Sequence, residues 1–193
     1  HKKKEGFFKL SQSFIRAGSF YNPNGEVIDI TTTSVYSTVA YGEYGINDGL
    51  TAILNAPIFV RSTINNQEST VDGFVIPGDE LNAIGDIQLG LKYGILRDRA
   101  FVLAASGMLK LPSGENVGGE TELLQTGDGA WGFTGLVHAS YSFYPVPLYF
   151  NLFGGYQWRG TADLEYEAGT ETVDYDDAFK WGAELGWTPN EHW

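Results

Sequence analysis

The sequence feature that most constrains the fold is a strict alternation of apolar and polar residues. The clearest example runs from Gly85 to Ile95. From Ile87 onward its odd positions are aliphatic or aromatic, whereas its even positions are polar residues or glycine. A period of two places these two sets on opposite faces of a β-strand. The segment therefore predicts a strand with one apolar face and one polar face.

Similar segments recur along the whole chain and predict eight strands. Their ranges are 6–20, 32–46, 50–63, 84–96, 100–111, 129–143, 147–159 and 176–188. The first two strands show no consistent apolar face, so the sequence leaves their facing open. Short turns rich in Asn, Asp, Gly and Pro are predicted at 46–49, 97–99, 144–147 and 189–191. Longer polar segments at 21–31, 64–83, 112–128 and 160–175 lie between the other strand pairs.

Short turns and long loops thus alternate between successive strands, which predicts an antiparallel up-and-down β-barrel. In barrels of the bacterial outer membrane, the short turns face the periplasm and the long loops face the outside. We therefore predict an all-β transmembrane barrel in the outer membrane, with a periplasmic N-terminus and extracellular long loops. Residues 1–193 are expected to belong to one domain. Residues 187–193 resemble a strand, a turn and the start of another strand, so we expect a barrel of ten or twelve strands.

The composition excludes several other classes of protein. The chain has no cysteine, which excludes disulfides and cysteine metal sites. It has no apolar run of about 18 residues, so it contains no candidate transmembrane helix. Its net charge of −12 argues against a nucleic-acid partner. The expected partners are outer-membrane lipid and lipopolysaccharide, a small-molecule solute and other envelope proteins.

Four short strings carry a resemblance to a known family. Residues 84–93 are similar to the "GlyAsp…LeuGlyLeuLysTyr" strand of that family, and residues 110–114 are similar to its "LeuPro(Thr/Ser)Gly" strand end. Residues 126–131 resemble its "ThrGly…Trp" entry into a strand, and residues 42–50 resemble its hairpin turn. The family consists of Gram-negative outer-membrane barrels described as transporters of the MetA pathway of phenol degradation, and this chain is most similar to members from Bacteroidota. The resemblance covers about residues 32–188 and implies a channel for small hydrophobic or aromatic compounds, without indicating any binding residue.

The polar positions of the alternating strands predict a set of side chains facing the lumen. They are Asn55, Arg61, Asp86, Gln88, Lys92, Lys110, His138, Asn151, Arg159, Lys180 and Glu184. These side chains have two interpretations. They line a path for solutes, or they fill a narrow lumen with ion pairs and hydrogen bonds, because buried charges need partners. A barrel of eight strands is only wide enough for its own side chains, whereas a wider barrel favours the path.

Two further features suggest chemistry. His138 and Ser140 are two residues apart on one strand face, and an imidazole can activate a serine in an outer-membrane acyl hydrolase. No orienting acid is evident nearby except a distant Glu184, so we predict no catalytic residue and no enzymatic activity. The segment 163–177 holds seven carboxylates and no basic residue. Calcium favours such oxygen ligands, but the spacing fits no calcium loop, so we expect a solvated external loop rather than a calcium site.

The predicted function is therefore a passive outer-membrane channel for small solutes, with no cofactor and no metal. The first alternative is a non-conducting structural barrel or a subunit of a larger envelope complex. A remote alternative is an outer-membrane lipid hydrolase.

Overall fold

The fold is an all-β half-barrel. A computed structural model describes residues 3–68, 75–97 and 99–187. Its strands are β1 (Gly6–Tyr21), β2 (Val27–Gly45), β3 (Leu50–Ile64), β4 (Gln67–Glu68), β5 (Val75–Ile76), β6 (Asp79–Ala83), β7 (Ile87–Leu96), β8 (Phe101–Leu111), β9 (Gly132–Ser142), β10 (Leu148–Arg159), β11 (Thr161–Tyr166), β12 (Gly169–Asp174) and β13 (Ala178–Trp187). The described residues contain no helix long and apolar enough to cross a membrane.

Eight of these strands form one strongly curled antiparallel sheet. Their order is β1–β2–β3–β7–β8–β9–β10–β13, so each strand pairs with its neighbours along the chain. The short strand β6 also pairs with β3, beyond the point where β7 begins. The prediction of an all-β, antiparallel up-and-down fold is confirmed.

The short turns gather at one end of the sheet, which we call the short-turn end. In the turn between β2 and β3, the Asn47 side chain accepts hydrogen bonds from the backbone amides of Gly49 (2.9 Å) and Leu50 (3.0 Å). The Gly94 amide then donates to the Gly49 carbonyl over 2.8 Å, so this turn lies beside the end of β7. The opposite end is called the long-loop end. Asp98 and the predicted turn at 189–191 lie outside the described residues, as does the expected start of a further strand after residue 187.

The first predicted loop is much shorter than the sequence suggests. The sequence predicts a loop over 21–31, but β2 already begins at Val27. The Asn22 side chain closes the turn by accepting hydrogen bonds from the amides of Asn24 (3.0 Å) and Glu26 (2.9 Å). Gly25 has a φ of 80°, a conformation that favours glycine. The prediction of a long loop here is wrong, because local turn chemistry allows the two strands to continue.

Two other predicted loops contain short strands. The segment 160–175 forms the hairpin β11–β12, in which Thr161 pairs with Asp174 and Tyr166 with Gly169. In β11, Ala162, Leu164 and Tyr166 alternate with polar residues, but the many carboxylates of the segment make it resemble a loop in the sequence. The segment 64–83 holds β4, β5 and β6, and residues 69–74 within it lie outside the described residues.

The curled sheet has a polar concave face and an apolar convex face. On β7, Leu89 and Leu91 are 46% and 51% exposed, whereas Gln88 and Lys92 on the other face are half-buried. Cross-strand partners share a face, so the registers extend this division across β7 to β13. We identify the polar face as the concave one, since side chains from β2, β3, β7, β8 and β9, which are consecutive in the sheet, border one cleft on it.

Irregular pairing interrupts the alternation in β3. Phe59 pairs with Thr38 and Pro57 with Val39, which leaves Ile58 as an extra residue without a partner on β2. An extra residue of this kind is a β-bulge, which bends the strand and changes the relation between its two faces. Consequently, residues of β3 on either side of Ile58 do not follow one simple alternation.

Candidate functional site

The candidate site is a cleft in the middle of the concave face, which we call the central cleft. It has a volume of about 330 Å³ and draws on β2, β3, β7, β8 and β9. Its lining residues are Tyr41, Glu43, Ile53, Asn55, Gln88, Lys92, Ser106, Met108, Leu136 and His138. The lining therefore combines hydrogen-bonding groups, two opposite charges and three apolar side chains.

The registers explain why these side chains meet. Asn55 pairs with Tyr41 on one side and with Gln88 on the other. Lys92 pairs with Ser106, so the polar face continues from β7 to β8. Because partners in a sheet lie about 5 Å apart, each pairing adds one side chain to the same wall of the cleft.

Two hydrogen bonds order the polar groups of the central cleft. The Tyr41 hydroxyl donates to a carboxylate oxygen of Glu43. Ser106 Oγ and His138 Nε2 lie 2.8 Å apart across β8 and β9. Tyr41, Glu43 and Ser106 were not among the predicted lumen residues, because β1 and β2 gave no consistent face and β8 is apolar at most positions on both faces.

The histidine contact bears on the hydrolase alternative. The sequence pairs His138 with Ser140 on the same strand, whereas the structure gives His138 a hydrogen bond to Ser106 on the neighbouring strand. A nucleophilic serine also needs an orienting group on the second imidazole nitrogen. The acid that the sequence offers for this role, Glu184, instead accepts hydrogen bonds from Tyr149 (2.8 Å) and Asn151 (3.3 Å).

A second cluster of charges closes the concave face toward the long-loop end. Lys110 Nζ contacts both carboxylate oxygens of Asp128 and lies 3.5 Å from Asp86 Oδ2. The side chains of Lys110 and Asp86 are only 11% and 12% exposed. Asp86 also accepts hydrogen bonds from the amides of Gly114 (3.0 Å) and Asp128 (3.1 Å). We call Asp86, Lys110 and Asp128 the ionic cluster.

Asp128 is held in its charged form. Burial raises its pKa, but hydrogen bonds from Lys110 and from the Ala130 amide outweigh that effect, so the pKa of Asp128 lies below its ordinary value. The carboxylate thus remains ionised opposite the Lys110 ammonium at neutral pH.

The ionic cluster anchors the segment 112–130, which connects β8 and β9 and which we call the inner loop. Ser113 Oγ donates to the Gly85 carbonyl (2.9 Å), and Thr126 Oγ1 donates to the Ile84 carbonyl (2.8 Å). Further out, Asp79 accepts hydrogen bonds from the amide and hydroxyl of Thr121. Three of the strings that carry the family resemblance, 84–93, 110–114 and 126–131, therefore meet in one hydrogen-bonded region.

Arg159 connects β10 to the chain that enters β13. Its guanidinium donates to the Asp176 carbonyl through Nε (2.8 Å) and Nη2 (2.5 Å), and it lies 5.7 Å from the centre of the Tyr175 ring. The Tyr175 hydroxyl in turn donates to the Asp128 carbonyl over 3.1 Å. Hydrogen bonds from the Tyr156 hydroxyl and then from the Arg159 amide lower the pKa of Asp177. Arg159 is therefore linked to the ionic cluster through Tyr175.

The predicted lumen residues fall into several groups. The central cleft contains Asn55, Gln88, Lys92 and His138; the ionic cluster contains Asp86 and Lys110; the pair Asn151–Glu184 lies toward the short-turn end; Arg159 lies at the long-loop end; and Lys180 pairs with Gly155 on the polar face.

Arg61 lies apart from these groups. It pairs with Tyr36 across the sheet and forms an ion pair with Glu80. Both residues border a separate open cavity together with Phe14. The extra residue at Ile58 lies between Arg61 and Asn55, and the sequence contains no signal for it.

No protein-family model matches the sequence, and no curated protein matches it. The resemblance to the outer-membrane transporter family therefore stays a prediction. Among the described residues, no group of three or more His, Asp or Glu side chains is arranged to hold a metal ion.

Proposed function

We propose that this protein is a β-barrel of the bacterial outer membrane that lets small solutes pass through its lumen. The observation that carries the proposal is the contrast between the two faces of the sheet. From β7 to β13, exposed apolar side chains line the convex face, while the concave face is polar. In water such a band would be unfavourable, whereas it is the surface that lipid requires of a barrel.

The position of aromatic residues on the convex face supports a membrane-spanning band. On β9 and its approach, Trp131 lies toward the long-loop end and Tyr141 toward the short-turn end, with Val137 between them. Ten residues of strand extend about 33 Å, and a tilt of 35–45° reduces this to about 25 Å along the membrane normal. This height agrees with the apolar band of outer-membrane barrels, which is flanked by aromatic girdles.

The membrane part of the proposal has a direct test. Leu91→Arg places a charge on the convex face near the middle of β7, whereas Gln88→Arg places it on the concave face of the same strand. We expect Leu91→Arg to destabilise the folded protein in lipid vesicles by about 2–4 kcal/mol. Gln88→Arg should change the free energy of unfolding little. Urea titration of both variants in vesicles measures the difference. Equal effects would refute the assignment of the convex face to lipid.

The channel part is tested by conductance of the full-length protein in planar bilayers, with a heat-denatured sample as control. Stable single-channel steps support the channel. The second candidate, a non-conducting structural barrel, is favoured by the ionic cluster and the inner loop, because both occupy the concave face at the long-loop end. A correctly inserted protein that shows no conductance in any salt would establish this second candidate.

A further inference from the structure

We infer that the central cleft binds small organic anions with a single negative charge and a short apolar body. This inference rests on the proposed channel and names the class of solute that its lumen prefers. It follows from the position of Lys92 in the central cleft and from the groups that surround this side chain.

The carboxylates of the concave face have partners. Asp86 contacts Lys110, Glu184 accepts from Tyr149 and Asn151, and Glu43 accepts from Tyr41. Lys92 differs from them. Within residues 3–68, 75–97 and 99–187, no carboxylate lies within 4.0 Å of its ammonium group. Among the described residues, the half-buried ammonium of Lys92 in the central cleft therefore has no carboxylate at ion-pair distance.

The neighbours of Lys92 favour an anion as the missing counter-ion. Ser106, the cross-strand partner of Lys92, and the amides of Asn55 and Gln88 carry hydrogen-bond donors along the same cleft. A carboxylate or sulfonate can accept hydrogen bonds from such groups and from the ammonium at the same time, and bonds of this charge-assisted kind are the strong ones.

The remaining walls define the rest of the ligand. Ile53 is buried, and Met108 and Leu136 border the cleft beside it. These side chains offer an apolar surface that a hydrated inorganic ion does not use, whereas a short alkyl or aryl group does. Lys92 supplies the one ammonium group that borders the central cleft, and a single ammonium balances one negative charge. The lining therefore fits an organic monoanion rather than a dianion or a cation.

The test measures block of single-channel current by butanesulfonate, a permanent monoanion with a short alkyl chain. The full-length protein is reconstituted in planar bilayers in KCl, and butanesulfonate or butyltrimethylammonium is added. We expect saturable block by butanesulfonate and none by the cation. Lys92→Gln should raise the half-blocking concentration of butanesulfonate about tenfold, as expected for the loss of a charge-assisted bond, and Lys92→Arg should retain the block.

Lys180→Gln is the matched control, because Lys180 lies on the same polar face but outside the central cleft. If Lys180→Gln weakens the block as much as Lys92→Gln, general lumen charge explains the effect and the site is refuted. A channel that conducts but is not blocked by butanesulfonate refutes the anion site and leaves the proposed channel intact. An inserted protein without conductance refutes the channel and the inference together.

Discussion

Ser106 Oγ lies 2.8 Å from His138 Nε2, so the imidazole in the middle of the concave face is hydrogen-bonded across two strands. The pair resembles a nucleophile and its base, but Glu184, the acid that the sequence offers to orient the imidazole, is hydrogen-bonded to Tyr149 and Asn151 instead.

We therefore predict no serine-dependent hydrolysis. Purified wild-type protein, Ser106→Ala and Ser140→Ala should release fatty acid from phospholipid at the same background rate. Deacylation measured with radiolabelled lipid in mixed micelles checks this. Turnover by the wild type that either alanine variant abolishes would show that the protein is an enzyme.

The ionic cluster should hold the inner loop in place. Lys110→Met leaves Asp86 and Asp128 close together without their shared cation, and removal of one partner from a largely buried pair costs about 3 kcal/mol. We expect a glutamyl endopeptidase to cleave the inner loop after Glu115, Glu120 or Glu122 much faster in this variant than in the wild type.

Lys180→Met is the control for this prediction, since it removes an exposed lysine elsewhere on the same face. Its inner loop should resist the protease as the wild type does. Equal resistance of all three proteins would mean that the other hydrogen bonds of the loop are sufficient.

The inner loop should also loosen in acid. The folded-state pKa of Asp128 is lowered, so its stabilising contribution is complete above the unfolded pKa of about 3.9 and is lost as the pH falls through the lower folded value. Hydrogen exchange of peptides covering 112–130, corrected for the intrinsic pH dependence, should accelerate in that window. In Asp128→Asn the corrected exchange should be fast already at neutral pH and should lack this transition; a transition that persists unchanged would assign it to another group.

Neighbouring glycines of β10 should respond differently to the same substitution. A Cβ at Gly155 would overlap the Gly135 carbonyl oxygen and lie 2.8 Å from Leu136 Cα, whereas at Gly154 the nearest atom is 4.0 Å away. Gly155→Ala should destabilise the folded barrel by about 1–3 kcal/mol through overpacking, and Gly154→Ala should be neutral or slightly stabilising. Urea unfolding in lipid vesicles compares them. A neutral Gly155→Ala would show that β9 and β10 can separate without cost.

The sequence predicts the regular part of this fold well because each strand of the sheet has one apolar face. β7 and β10 differ from their predicted bounds by only a few residues, since their alternation is uninterrupted where both faces are in use. The first residues of β2 are missed because Val27 and Ile28 put apolar side chains on both faces, so no alternation is visible there. The β11–β12 hairpin is missed because its many carboxylates suggest a solvated loop.

The candidate site was only partly predictable for a related reason. Lys92 and His138 stand out as polar residues on otherwise apolar strands. Ser106 does not stand out, because the consecutive residues Ala104 and Ala105 place similar small side chains on both faces of β8 and so do not indicate which face is polar. The position of Arg61 depends on the pairing irregularity at Ile58, which is a property of β2 and β3 together rather than of one segment.

The inner loop and the β11–β12 hairpin contact each other directly. Asn116 Nδ2 donates to the Asp163 carbonyl (2.9 Å), and the Glu167 amide donates to the Glu122 carboxylate (2.7 Å). The surface at this end of the molecule is therefore assembled from segments that lie more than 40 residues apart in the chain. An antibody raised against the native protein at this surface would recognise a conformational epitope, and synthetic peptides copying either loop alone would fail to compete for it.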